Sequence, residues 1–293
     1  PRGGVGKLAE ALKNKIIEFG GELKTETEIR EVQADKHLVK DQENINYTYN
    51  NLIWAADLKT FYRIAKTEDF LPEIRLKIEE AKTRMLKHRG GDSVFSFFLE
   101  VDEPLESFRK IAHGHFFYTP SKEGLGETHR KKLDHLLKDL ENTEKGKVLE
   151  WLDKFTMLNT YEISVPGLKD PELVPEGKTG LIISFLAEYD LFRRVQEAGW
   201  YDEFNSELEK RVLRVISGSI YPMLKDKILD SFSFTPLSIE NRVGSSEGAI
   251  TGWSFQQAVP VVNKIQISDR SVFTPIPSVF QAGQWAYSPA GVP

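Results

Sequence analysis

Apolar positions near the start of the chain fall at helical spacing. Val5, Leu8, Ala9, Leu12 and Ile16 form one stripe and predict a helix over Val5–Phe19. Gly20-Gly21 ends it, because glycine enters the left-handed C-cap conformation at little cost. The texture then turns to β. Glu22–Thr25 and Glu28–Ala34 have strand composition, and His37–Lys40 with Asn46–Tyr49 flank the turn cluster Asp41-Gln42-Glu43-Asn44, which predicts a hairpin. Leu52–Ala56 is an apolar run that predicts a buried strand ending at Asp57.

Helical texture returns over Thr60–Lys66 and Leu71–Lys87, where Pro72 suits a first helical turn. Val94–Val101 and Ile111–Tyr118 predict strands, and Glu127–Leu140 predicts a charged helix. Met157–Ser164 predicts a strand, Val165–Gly180 a Pro/Gly-rich loop and Leu181–Ala187 a strand. Ala198–Ser217 predicts a long helix extended by Tyr221–Leu229, and Ser231–Phe234 a strand. Gly244–Gly252 reads as loop, and Val272–Gln281 holds a last short strand. The order predicts an α+β fold: a largely antiparallel mixed sheet with helices on one face, without strict βαβ alternation.

Composition narrows the function classes. With 293 residues and 40% apolar content the chain can bury a large core. A net charge of -5 gives no basic surface for nucleic acid. The chain has no cysteine, so disulfides and thiolate chemistry are excluded; a reducing cytoplasm is compatible with this. No run approaches the apolar length that a membrane span needs. The chain opens on Pro1-Arg2-Gly3-Gly4 and stops at Ala290-Gly291-Val292-Pro293, so both ends read as cut and the chain as a fragment.

Candidate chemistry is sparse. Gly3, Gly4 and Gly6 precede a helix but do not follow a strand, so an ordinary loop explains them better than a phosphate cradle. His113 and His115 alternate on a predicted strand without a supporting ligand motif, which favours plain surface or core histidines over a metal site. His129 and His135 read as solvated members of the charged helix. Phe95, Phe97, Phe98, Phe116, Phe117 and Tyr118 read as sheet core, with alternate rings free to face a cavity for a long apolar molecule. Leu133, Leu136, Leu137 and Leu140 form a stripe that suits packing on the body of the protein or a peripheral membrane contact. No nucleophile elbow, P-loop or paired carboxylate stands out, so no catalytic residue is named.

Three stretches carry a resemblance. They are Pro1–Gly6 with its helix, Gly20-Gly21-Glu22-Leu23 and Glu28–Val32; then Leu52–Asp57; then Thr274-Pro275-Ile276-Pro277 through Ala282-Gly283-Gln284-Trp285 to Ala290-Gly291-Val292-Pro293. Together with Lys169-Asp170-Pro171, Pro175-Glu176-Gly177 and Thr235-Pro236, they resemble the phytoene desaturase and retinol saturase group of the amine oxidase superfamily. The likeness covers nearly the whole chain. The strand-to-helix G-x-G-x-x-G that grips a dinucleotide is absent, and Gln284 stands where the family often has an acidic residue.

The resemblance implies an FAD-dependent oxidoreductase acting on carbon–carbon bonds of an apolar isoprenoid. It implies FAD contacts at Ile29, Gly283, Gln284, Trp285, Gly291 and Val292. It divides the chain into residues 1–57 and 258–293, pieces of an FAD domain, and 58–257, a substrate domain. An amine substrate and a cofactor-free binding domain are the alternatives. An exposed sheet edge in such a fragment leads us to expect a homodimer.

Overall fold

The computed structural model describes residues 2–287. Helix α1 (Gly6–Glu18) opens the chain, followed by β1 (Ile29–Gln33), β2 (Leu38–Asp41), β3 (Asn46–Thr48) and β4 (Leu52–Trp54). Next come α2 (Leu58–Ile64), β5 (Ala65–Lys66), α3 (Pro72–Lys87), β6 (Ser93–Val101), α4 (Leu105–Arg109) and β7 (His115–Tyr118). The chain continues through α5 (Gly126–Lys138), α6 (Lys145–Leu158), β8 (Tyr161–Ser164), α7 (Pro166–Lys169) and β9 (Thr179–Ala187). It finishes with α8 (Tyr189–Glu197), α9 (Tyr201–Ser217), β10 (Ile228–Phe234), α10 (Pro236–Val243) and β11 (Val279–Gln281). The expected α+β class is what the chain adopts.

Two compact units share these elements. One joins residues 1–22 to 94–237, and the other joins 23–93 to 238–293. The first holds a five-stranded sheet in the order β10-β6-β9-β8-β7. Its β10–β6, β9–β8 and β8–β7 pairings are antiparallel. Strict alternation sorts its side chains. Along β6, Phe95, Phe97, Leu99 and Val101 are buried, while Ser96, Phe98 and Glu100 are half-buried on the opposite face. Along β9, Leu181, Ile183 and Phe185 are buried. The buried face meets Phe192 and Val195 of α8 and Phe204, Leu208 and Val212 of α9 in one core. Phe95 stacks on Phe185 with ring centroids 5.1 Å apart. Each such ring contributes roughly 1.5–3 kcal/mol through burial.

The second unit holds a four-stranded sheet, β3-β2-β1-β5, and a separate parallel pair, β4 with β11. The predicted hairpin is β2–β3, closed around Asp41, whose carboxylate accepts from the N–H groups of Glu43 and Ile45 and from the Tyr47 hydroxyl. The core of this unit gathers Phe61, Tyr62, Ile78, Met85, Trp253 and Trp285.

Several expectations are corrected. The long helix expected over Ala198–Ser217 forms as α9 but starts three residues later, at Tyr201, and a separate helix, α8, precedes it. Gly199, at φ +78°, ends α8, with its N–H bonded to Gln196 and that of Trp200 to Val195. Tyr221–Leu229 does not extend α9, because Pro222 lacks the needed N–H; it starts a 3-10 turn instead, and Ile228 already belongs to β10. Met157 is helical, since Val148, Trp151, Leu152 and Thr156 give α6 one buried face through Leu158. Pro236 opens helix α10. Only His115 lies on a strand; His113 precedes it. The stripe of α1 forms, but the helix buries none of its residues. The Leu133 and Leu140 ends of the other stripe pack into the core.

Candidate functional site

One candidate for the chemistry the sequence suggests lies in each unit. In the second unit, the parallel strands β4 and β11 run side by side and end together. The Ala282 N–H bonds the Trp54 carbonyl at 2.9 Å, carrying the ladder one residue past β11. Both strands then release loops from their carboxyl ends: Ala55-Ala56-Asp57 and Ala282-Gly283-Gln284. Crevices at the carboxyl ends of parallel strands are where open α/β sheets bind ligands.

Gly283 is exposed at φ +81°, a conformation that favours glycine, and the nearest atom to a side chain added there would be the Ala55 oxygen at 3.8 Å. The backbone therefore presents itself to open space. Gln284 is half-buried. Trp285 is buried, its ring at right angles to Trp253 with centroids 4.8 Å apart, and its carbonyl accepts from the Trp253 indole at 2.8 Å. Gly252, at φ +73°, lies against Gln284 so closely that any Cβ would press into the Gln284 carbonyl. The loop after β11 is thus held from beneath, while Gly283 stays uncovered.

The loop after β4 is fixed by Asp57. One carboxylate oxygen caps α2 by accepting from the Thr60 N–H at 2.7 Å, and the other accepts from the Ser246 N–H at 2.8 Å. The Asp57 carbonyl accepts from the Trp54 indole at 2.9 Å. In the first turn of α2, Lys59 is buried and pairs with Glu247 at 2.5 Å. The second oxygen of Glu247 accepts from the Gly90 N–H at 2.7 Å. Glu247 itself sits at φ +55°.

Of the residues singled out in the sequence, Gly283, Gln284 and Trp285 form this loop. Ile29 lies on another sheet but packs on the same apolar cluster as Trp285. Gly291 and Val292 lie outside the described residues. The sequence reading missed Lys59, Glu247, Trp253 and Gly90. The Gly90-Gly91 pair was the only local hint: a Cβ at either would meet the 246–253 segment at clashing distance.

In the first unit, the sheet face turned away from the helices carries Phe98 stacked on Phe232, with centroids 4.8 Å apart and planes 6° from parallel. Phe234 meets Phe98 edge-on. Beside them lies a cavity of about 350 Å³ between β6, β9 and the segment 166–178, lined by Phe98, Leu173, Val174, Pro175, Ile182 and Phe232, with Lys178, Glu100 and Asp230 as its charged members. Lys178 pairs with Glu100 at 2.6 Å; the hydrogen bond and the negative charge hold its ammonium above the ordinary lysine range. The segment is tied down by Asp170, which accepts from the Gly3 N–H at 2.6 Å. This arrangement can hold an apolar group against stacked rings.

Among the described residues no cluster of three or more metal-ligating side chains occurs. His115 instead contacts Glu162 on the neighbouring strand at 2.7 Å. Among the described residues no helix is long and apolar enough to cross a membrane. His129 corrects the expectation of a solvated side chain: it is buried, stacked on Trp151 with centroids 4.6 Å apart.

The fold and the paired carboxyl-end loops define the class: mixed α+β, with a parallel strand pair opening onto an exposed glycine loop. No family model matches the sequence, and no curated protein matches it. Solved structures do. An oxidoreductase from Methanosarcina mazei aligns over 100% of this chain and 51% of its own, with a TM-score of 0.58 and 14% identity. A reduced UDP-galactopyranose mutase aligns over 80% of this chain and 39% of its own, with a TM-score of 0.50 and 14% identity. The chain therefore spans about half or less of the length of these proteins, and it shares their fold.

Proposed function

We propose that the chain is part of an FAD-dependent oxidoreductase that acts on carbon–carbon bonds of an apolar, isoprenoid-like substrate. The observation that carries the reading is the uncovered Gly283 backbone at the carboxyl ends of two parallel strands. A side-chain-free position there suits the close approach of a dinucleotide's pyrophosphate. The likeness in fold to an oxidoreductase supports it.

The residues present fit the cofactor. Gly283 and Gln284 would offer main-chain contact, with the Gln284 amide as an added donor, and Ile29 would contribute through its strand backbone. Trp285 would act from beneath, its ring committed to Trp253. When bound, FAD supplies hydride acceptance or donation. The chain's own part is orientation and exclusion of water. The open sheet face would hold the substrate by dispersion against Phe98 and Phe232, and Val174 and Ile182 would close the apolar wall.

The substrate side is tested by anaerobic reduction of the full-length enzyme with a polyisoprenoid series. Phe98→Ala and Phe232→Ala are expected to raise KM about tenfold or more with kcat less affected, since each removes roughly 1.5–3 kcal/mol of apolar contact. Unchanged KM in both variants would remove this face from the substrate site.

A further inference from the structure

A second cavity lies on the helical side of the first unit, far in character from the apolar sheet face. It is a groove of about 400 Å³ between α5 and α6, lined by His129, Lys131, Lys132, His135, Leu136, Lys147, Glu150, Trp151 and Lys154. Four lysines stand against a single glutamate there, although the chain as a whole has a net charge of -5. Glu150 is taken by Lys154 at 3.1 Å, while among the described residues Lys132 and Lys147 make no ion pair. Such a concentration of one sign needs a reason, because like charges on facing helices repel.

The lining is not only basic. Leu136 and the ring of Trp151 supply apolar surface, and Trp151 continues into a stack with His129 and Phe155, at 4.6 and 4.8 Å. Two polar atoms of this stack are left over. His129 Nε2 and Trp151 Nε1 are both sealed from solvent, and neither has a hydrogen-bond partner. A buried polar group without a partner costs roughly 1–3 kcal/mol, so a fold keeps one where something else completes it. The indole N–H can only donate, so its missing partner is an acceptor. Burial, then the positive charges of Lys132 and Lys154, push the His129 imidazole below its ordinary pKa.

We propose that this groove binds a small amphiphilic organic anion: an apolar chain or ring bearing a carboxylate. The head lies among Lys132, Lys147 and Lys154, and the body lies over Leu136 and Trp151. The head completes the indole N–H once the side chains that seal it move aside, and the groove's lysines, on flexible four-carbon stems, can follow the head. The size suits a small molecule. The proposal does not depend on the flavin reading.

The test uses octanoate as the probe, with octanol and acetate as its tail-only and head-only counterparts. The readout is the indole N–H resonance of Trp151 in the full chain, assigned with Trp151→Phe. Octanoate is expected to shift this resonance saturably, and acetate and octanol to bind at least tenfold more weakly. Lys132→Gln combined with Lys154→Gln changes only exposed side chains and leaves the fold intact by circular dichroism; it is expected to weaken octanoate by about tenfold, or 1.4 kcal/mol, and to leave octanol unchanged. Octanol binding as well as octanoate, no shift with octanoate, or a shift seen only with phosphatidylglycerol vesicles would each overturn the proposal.

Discussion

The buried pair Lys59–Glu247 gives a sharp test of how the loop after β4 is held. The lysine side chain is 5% exposed and the glutamate 21%, so the two partners are not equivalent. In Lys59→Met, Glu247 keeps the Gly90 N–H and about a fifth of its surface in water; we expect a loss of about 1 kcal/mol after allowing for that hydration. In Glu247→Gln, the ammonium of Lys59 stays buried opposite a neutral amide. Lys59 Nζ and Gly90 N–H donate to different oxygens of Glu247, so in glutamine one of those two positions becomes an NH2 group, and a donor then faces a donor. Removing one member of a buried ion pair costs about 3–5 kcal/mol, and the lower end fits here. The double variant should return to about 1 kcal/mol, because without the ammonium the substituted amide can serve Gly90 alone. Urea unfolding followed by tryptophan fluorescence reads all three, since Trp253 and Trp285 lie in the same unit. Equal losses for the two single variants, or a double variant that sums them, would refute the reasoning.

Gly252→Ala forces a Cβ at φ +73° into the Gln284 carbonyl; positive φ alone costs roughly 1–2 kcal/mol, and the loop must also move. We expect a stability loss above about 2 kcal/mol by urea unfolding, while Gly244→Ala, with the same sign of φ but open space around it, loses only about 1 kcal/mol. Burial pushes Tyr62 and Tyr221 up to about 12, and Tyr161 higher still. The raised values mean that folding favours the neutral phenol, so their contribution is complete below pH about 10 and is lost as pH climbs from there toward 12. Tyrosinate absorbance should show a late-ionising group in the folded chain that joins the bulk in urea; a single transition near 10 in both states would contradict the burial.

Local chemistry made much of the fold legible. The stripe of α1, the hairpin around Asp41 and the strict alternation of β6 follow from side-chain periods that no distant contact overrides. Where expectations failed, the deciding contact was non-local or a single backbone angle. His129 sits in a helix of charges, and its burial depends on Trp151 and Phe155 from the next helix. The helix expected from Ala198 starts only at Tyr201, because Gly199 takes positive φ and closes the preceding helix α8. Of the candidate site, the sequence makes the loop at Gly283–Trp285 after a strand legible, and these residues do follow β11. Lys59 and Glu247 lie 188 positions apart, and nothing near either in sequence marks it for burial. Trp253 likewise is placed by distant partners, the Trp285 ring and carbonyl among them.

Flavin binding at Gly283 is read from the visible absorption spectrum of the full-length protein, purified without added cofactor and compared with its Gly283→Val variant. A flavin band is expected, with FAD released on denaturation, and it should weaken when a branched side chain occupies the uncovered backbone position. A colourless protein that takes up no added FAD would contradict it, and the Gly283 loop would then be an ordinary turn.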